Sequence, residues 1–128
     1  MDRKALESFI FESWGIRPDY PFEGDGVTAV FRHPSNGKWF AIAMRIPRKR
    51  LGLSGEGQMD IVNLKADPAL IGSLVSSGEG FFPAYHMNKV HWLSAALDGS
   101  ADEDTLRSLI ELSCVTTLMK RSWRRDRG

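Results

Sequence analysis

Tyr85, His86, Asn88, Lys89, His91 and Trp92 fall within one eight-residue stretch, and each carries a hydrogen-bonding tip on an apolar or flexible stem. Chemistry, if the chain has any, is expected here. An ammonium and two imidazoles can hold an anion, an amide can pair with a base or a carbonyl, and a phenol and an indole can stack. Two readings of the stretch stand side by side. In one, Tyr85, His86, Asn88, Lys89 and Trp92 rim a ligand pocket at a sheet edge, with Asn88, Lys89 and His91 offering donors to an anion or a base. In the other, Tyr85 and Trp92 anchor the core while His86, Asn88 and Lys89 fix a loop through local hydrogen bonds.

Other chemistries fit the chain less well. His86 and His91 are five apart, which suits neither a helical i,i+4 pair nor an H-E-x-x-H site, and His33 stands alone on a turn. All three read as surface or half-buried hydrogen-bonding groups. Cys114 is the single cysteine, so neither an internal disulfide nor a cysteine-based zinc cluster can form. It falls on the inward side of the last helix, where a free thiol acts as a small hydrophobe. No G-x-S-x-G is present, and the carboxylates sit mostly in helix first turns, where capping explains them. Gly52-Leu53-Ser54-Gly55-Glu56-Gly57 matches neither phosphate-loop pattern. No catalytic residue, metal or cofactor is therefore expected, and a binding role is favoured over an enzymatic one.

The basic residues are better organised. From Val27 to Gly55 six cations occur (Arg32, Lys38, Arg45, Arg48, Lys49 and Arg50) and no acid. A positively charged hairpin with its following loop can lie along a phosphate backbone. Residues 120–128 add Lys120, Arg121, Arg124, Arg125 and Arg127 around Trp123, a mixture that can pair phosphate and stack on bases. The alternative is a solvated face with a solubilising tail.

The elements that must position these groups follow from local signals. At 128 residues the chain is one domain, read as 1–119 with a basic tail at 120–128 that frays. Its net charge of +1 excludes a globally basic nucleic-acid binder but not a local patch. No apolar run is long enough for a signal or a membrane span, so a cytoplasmic protein without a membrane partner is expected. Asp2 caps a helix over 3–14, closed by Gly15 and Pro18. Strands are predicted over 27–32 and 39–46, joined by an Asn36-Gly37 turn in which both residues tolerate positive φ. Strand three covers 58–65. Asp67-Pro68 starts a second helix that ends near Gly78. Residues 78–83 read as a loop and 91–97 as a fourth strand. Ser100-Ala101-Asp102-Glu103 has the form of a capping box, and Leu106, Leu109, Ile110, Ser113, Cys114, Thr117 and Leu118 trace one helical face up to about Met119. The order α-β-β-β-α-β-α with a hairpin predicts an α+β sandwich, an antiparallel sheet with helices packed on one face.

Pro83-Ala84-Tyr85-His86-Met87-Asn88-Lys89-Val90-His91-Trp92, followed by Leu97-Asp98-Gly99, resembles the MmcQ/YjbR family. Asn36-Gly37-Lys38-Trp39-Phe40 and Leu64-Lys65-Ala66-Asp67-Pro68 stand upstream in the order that the resemblance requires. Ala101 departs from it, standing where members usually carry a proline. The resemblance implies a fold like that of the frataxin-like protein CyaY, a two-layer sandwich, and a double-wing DNA-binding role. It brings no iron site, because helix one carries only Asp2, Glu7 and Glu12. The expectation is a module whose partner is DNA. Arg45, Arg48, Lys49 and Arg50 would contact phosphates, Lys38 would do so from the hairpin, and Asn88, Lys89 and His91 would make closer contacts from the sheet edge. The alternative is a small-anion or protein-binding module using the pocket around Tyr85, His86, Asn88, Lys89 and Trp92.

Overall fold

Asp2 turns its carboxylate onto the amide of Ala5 (2.8 Å) and starts α1 (Arg3–Trp14). Gly15 ends the helix in the left-handed region at φ 70°. The computed structural model describes the backbone of residues 1–127 and the side chains of residues 1–118. After α1 come β1 (Ala29–Arg32), β2 (Trp39–Pro47), a 3-10 turn (Arg48–Leu51) and β3 (Gln58–Lys65). Then follow α2 (Pro68–Ser77), β4 (Phe81–Pro83), β5 (Trp92–Ala96) and α3 (Glu103–Arg127). The strands form one five-stranded antiparallel sheet in the order β1-β2-β3-β5-β4.

Four local expectations are corrected. The β1–β2 connection is not a tight Asn36-Gly37 hairpin. Only Gly37 takes positive φ (72°), and the turn runs from His33 to Lys38, closed by Gly37 N to His33 O (2.8 Å) and His33 N to Lys38 O (3.0 Å). Asn36 instead accepts from the Lys38 amide (2.8 Å) and donates to the carbonyl of Thr117. Phe81–Pro83, read as loop, is the edge strand β4, where a proline can sit because its missing N–H faces no partner strand. The cap of α3 is Asp102, whose carboxylate accepts from the amide and hydroxyl of Thr105 (3.0 and 2.9 Å), whereas the Ser100 hydroxyl donates back to Asp98 (2.5 Å). Finally, α3 runs past Met119 to Arg127, since no glycine or proline interrupts that stretch. The basic side chains expected at 120–128 lie outside the described residues.

Alternation along the strands sends Ala29, Phe31, Ala41, Ala43, Val62, Leu64, Leu93 and Ala95 to one side, where they pack with Leu6 and Ile10 of α1, Ile71 of α2 and Leu106, Leu109 and Ile110 of α3. All three helices therefore cover one face. Leu118 is 47% exposed. It lies about 120° around α3 from Leu106, off the buried stripe. Polar atoms tie this layer together. Ser113, fully buried, donates to Phe40 O (2.5 Å) and accepts from Lys65 N (2.9 Å), so one hydroxyl joins α3 to β2 and β3.

His33 is not a surface residue but is 3% exposed, with its ring on Phe40 (centroids 4.8 Å apart) and Nε2 at 2.8 Å from Thr117 Oγ1. The Thr117 hydroxyl donates to helix carbonyls, so its oxygen accepts from Nε2–H. Burial holds the His33 imidazole below its ordinary pKa, against the opposing pull of the Cys114 carbonyl.

The opposite face carries Ile46, Met59, Ile61 and Ala96, a smaller buried cluster. No helix covers it. Leu51 and Leu53 from the loop after β2, and Phe82 and Tyr85 around β4, form its roof.

Candidate functional site

The roof loops meet over this open face. Asn63 of β3 and Ser94 of β5 sit opposite each other in the register, both with 0% exposure. A buried polar pair needs partners, and these find them in the loop above. Ser94 Oγ donates to Asn63 Oδ1 (2.5 Å), Asn63 Nδ2 donates to Tyr85 O (2.9 Å), and Tyr85 N donates to Ser94 Oγ (3.0 Å). This closed ring of three bonds clamps the loop backbone onto the sheet. Immediately after it, His86 takes φ 57°, the one positive φ outside glycine among the described residues. The rings of Tyr85 and His86 lie edge to face with centroids 4.0 Å apart. Further along, Asn88 Oδ1 accepts from the amides of Val90 (2.8 Å) and His91 (3.2 Å), and Asn88 O accepts from Trp92 N (3.0 Å). The Asn88 side chain thus folds its own loop.

The other loop is built on the 3-10 turn. Three residues per turn send consecutive side chains about 120° apart. Arg48, Lys49 and Arg50 accordingly go three ways. Arg48 Nε donates to Ser54 O (3.1 Å) within its own loop. Burial opposes the charge on Asp98, but hydrogen bonds from Ser100, with a small contribution from Arg48, hold its carboxyl below the usual range. Lys49 faces a hollow that it shares with Glu56. Arg50 and Leu51 form one wall of a cleft of about 420 Å³, whose other wall comes from Phe82, Tyr85, His86 and Lys89. That volume lies within the range of small-ligand sites.

The structure brings together part of the expected set and separates the rest. Arg50, Tyr85, His86 and Lys89 converge on the cleft. Asn88, His91 and Trp92 are not among its walls. His91 is exposed at the entry to β5, and Trp92 is half-buried beside Lys65 in the register. Arg45 leaves β2 on the helix side, where Nε donates to Asp60 (3.0 Å), a carboxylate that also faces Arg3 of α1 (3.6 Å). Lys38 stands at the far end of β2, on the order of 30 Å of strand from Arg48. Its turn is docked on α3 through His33 and Asn36 rather than projecting.

Residue-type reasoning missed the clamp, Asn63 and Ser94, and the apolar wall, Leu51 and Phe82. A usable signal was present for the clamp: Ser94 is the lone small polar residue of β5, and Asn63 interrupts the apolar run Ile61-Val62-Asn63-Leu64.

Charge completes the description. Among the described residues, Arg3, Arg32 and Arg45 pair with Asp60 or Asp19, whereas no ion pair forms to Arg50 or Lys89. Burial pushes the Cys114 thiol up to about 11, so at neutral pH it is no thiolate nucleophile. Among the described residues no three His, Cys, Asp or Glu side chains come together as a metal cluster, and no helix is long and apolar enough to cross a membrane.

Comparison with known proteins agrees with the fold. The YjbR family model matches residues 14–113, which include every strand and both roof loops. The uncharacterized protein YyaQ of Bacillus subtilis (strain 168) is 39% identical over 113 residues, 88% of this chain and 95% of its own. A crystal structure of a Pseudomonas syringae protein aligns with a TM-score of 0.85 at 40% identity, covering 88% of this chain and 96% of that one. A Deinococcus radiodurans crystal structure, 23% identical with a TM-score of 0.69 over 94% of this chain and 80% of that one, shares the fold.

Proposed function

The chain belongs to the YjbR family, and we propose that it is a nucleic-acid-binding module that holds a sugar–phosphate backbone, DNA in the first instance, against the open side of its sheet. One observation carries this reading: Arg50 and Lys89, from loops far apart in sequence and without acidic partners among the described residues, line the same cleft. Lys49 and His91 are exposed on the same two loops, outside the walls of the cleft. Phosphate contacts of this kind supply affinity and register without sequence readout. Arg45 and Lys38 have no part in this surface. The first is neutralised on the other face, and the second lies several Debye lengths away. A reducing cytoplasm suits the module, whose Cys114 is a free thiol.

Fluorescence anisotropy of a labelled duplex, titrated across a range of salt, tests the proposal. Affinity should fall linearly on a log–log plot, with a slope of about −0.9 per phosphate neutralised. Reversing Arg48, Lys49 and Arg50 to glutamate should flatten that slope. Neutralising Lys120, Arg121, Arg124, Arg125 and Arg127 should leave most binding in place. Salt-independent binding, or binding that vanishes only with the C-terminal cations, refutes the open-face surface.

A further inference from the structure

Two cations of the open side share one space rather than standing in a row. A strand backbone presents one negative charge per phosphodiester at regular intervals, and a surface that tracks it needs cations spread along its path. Here Arg50 and Lys89 instead line one concavity. Two cations around a single space match a group that carries about two negative charges, which a phosphodiester does not and a phosphate monoester does near neutral pH. The two donors are also complementary in kind. A guanidinium grips two oxygens of one phosphate at once, and an ammonium adds a compact charge from another direction.

The rest of the cleft is apolar and flat-sided. Leu51, Phe82 and the Tyr85 ring offer surface to a sugar or base attached to that phosphate, with His86 held edge-on to Tyr85 at the rim. The cleft is also rigid where it counts. The Asn63–Ser94 clamp fixes the backbone at Tyr85, and the residue that follows it is held at positive φ. Unfavourable backbone conformations persist where the surroundings over-determine them, and they gather at ligand sites. We infer that the cleft between the two roof loops is a pocket for a terminal phosphate monoester, either the phosphorylated end of a nucleic-acid strand or a free nucleoside monophosphate. The strand-end form rests on the nucleic-acid reading above, and the free-nucleotide form stands without it.

Two arms separate the sources. In the first, the full chain is titrated against one oligonucleotide bearing either a 5′-phosphate or a 5′-hydroxyl. In the second, adenosine monophosphate and adenosine are compared by amide chemical-shift changes at Tyr85, His86, Lys89 and Arg50. A strand-end pocket predicts roughly tenfold tighter binding of the phosphorylated oligonucleotide, from charge-assisted hydrogen bonds that the hydroxyl end cannot make. That preference disappears in Arg50→Ala and Lys89→Ala and is retained in Lys89→Arg. A nucleotide pocket predicts shifts with the monophosphate and none with adenosine, lost in the same two variants. Both sites are exposed, so the variants fold, and equal urea midpoints confirm it. Either arm alone supports the pocket. Equal binding of both oligonucleotides together with no shifts from the monophosphate overturns it, even if salt-dependent DNA binding persists. Absence of binding by the hydroxyl oligonucleotide at low salt refutes the backbone reading only.

Discussion

On the helix side of the sheet, α1, α2 and α3 meet the strands in one apolar core, and its buried polar atoms connect element to element: Ser113 to Phe40 and Lys65, and His33 to Thr117. On the open side the core is small, and its buried polar pair, Asn63 and Ser94, reaches a loop instead. The cations divide in the same way. Arg3 and Arg45 on the helix side face Asp60, while Arg50 and Lys89 on the open side share a cleft. One face is arranged to hold the fold together. The other gives up helix cover, and its polar groups hold charged loops in place. The comparison teaches that polar burial in the same small sheet serves cohesion on one side and positioning on the other.

The largest effects should come from the two polar anchors. Ser113→Ala and Asn63→Ala each leave buried partners unpaired, and each should lower the free energy of unfolding by about 1–3 kcal/mol, read from urea titrations. Their consequences for binding should differ. Ser113→Ala should leave nucleic-acid affinity unchanged under conditions where the protein is folded. Asn63→Ala should weaken it and speed amide exchange around Tyr85, because the clamp is gone. Equal effects of both variants on binding would erase the distinction between the faces.

Next in size is the pair Arg50→Ala and Arg45→Ala. Removing a cation that contacts phosphate should cost about 1.5–3 kcal/mol of binding. Arg45 is half exposed and already paired with Asp60. Its loss should change affinity by less than about 0.5 kcal/mol and stability by no more than a surface ion pair is worth. Anisotropy on both variants decides it, and an Arg45 effect as large as that of Arg50 would move the binding surface to the helix side.

The helix face should also respond to acid through His33. The unfolded chain takes up a proton there near pH 6.5, whereas the buried imidazole does so only at lower pH. Below pH 6.5 the unfolded state therefore binds more protons, and stability falls as pH drops through the depressed folded pKa. Above pH 6.5 the contribution is fully present. His33→Gln, which has no proton to gain, should flatten this dependence in denaturation midpoints compared at about pH 5 and pH 7.5. An unchanged acid slope would mean that other groups govern it.

How much of this was legible depends on how local each cause is. Both ends of α1 and the start of α2 were readable to the residue because Asp2, Gly15, Asp67 and Pro68 are caps that act within a few positions. β3 was readable from its own composition. β4 was not, since three residues ending in Pro83 become a strand only beside β5. The α3 cap reads in the sequence as a Ser100 capping box, but Asp98 takes the Ser100 hydroxyl and Asp102 caps the helix instead. The dense stretch from Tyr85 to Trp92 was recognisable as a place of interest, and Tyr85, His86 and Lys89 do line a cleft. Of its opposite wall, Arg50 was visible only as part of a charge run and Leu51 not at all. The neutralisation of Arg32 and Arg45 was hidden for the same reason. Their partners, Asp19 and Asp60, lie outside that run and come alongside only through strand pairing.

The smallest expected effect is the sharpest on the two-face contrast, and it concerns His86. At φ 57° an imidazole side chain sits where glycine is at ease, so His86→Gly should relieve backbone strain. The gain is offset by the greater freedom of glycine in the unfolded chain, worth about 0.5–1 kcal/mol. Net stability should then change by less than about 1 kcal/mol in either direction. His86→Ala removes the same ring but keeps the unfavourable φ, so it should be the less stable of the two. Both lose the edge-to-face partner of Tyr85 and one side of the cleft, and both should weaken ligand binding alike. If His86→Gly instead costs several kcal/mol while His86→Ala costs little, the ring is serving cohesion, and the open face would resemble the helix face after all.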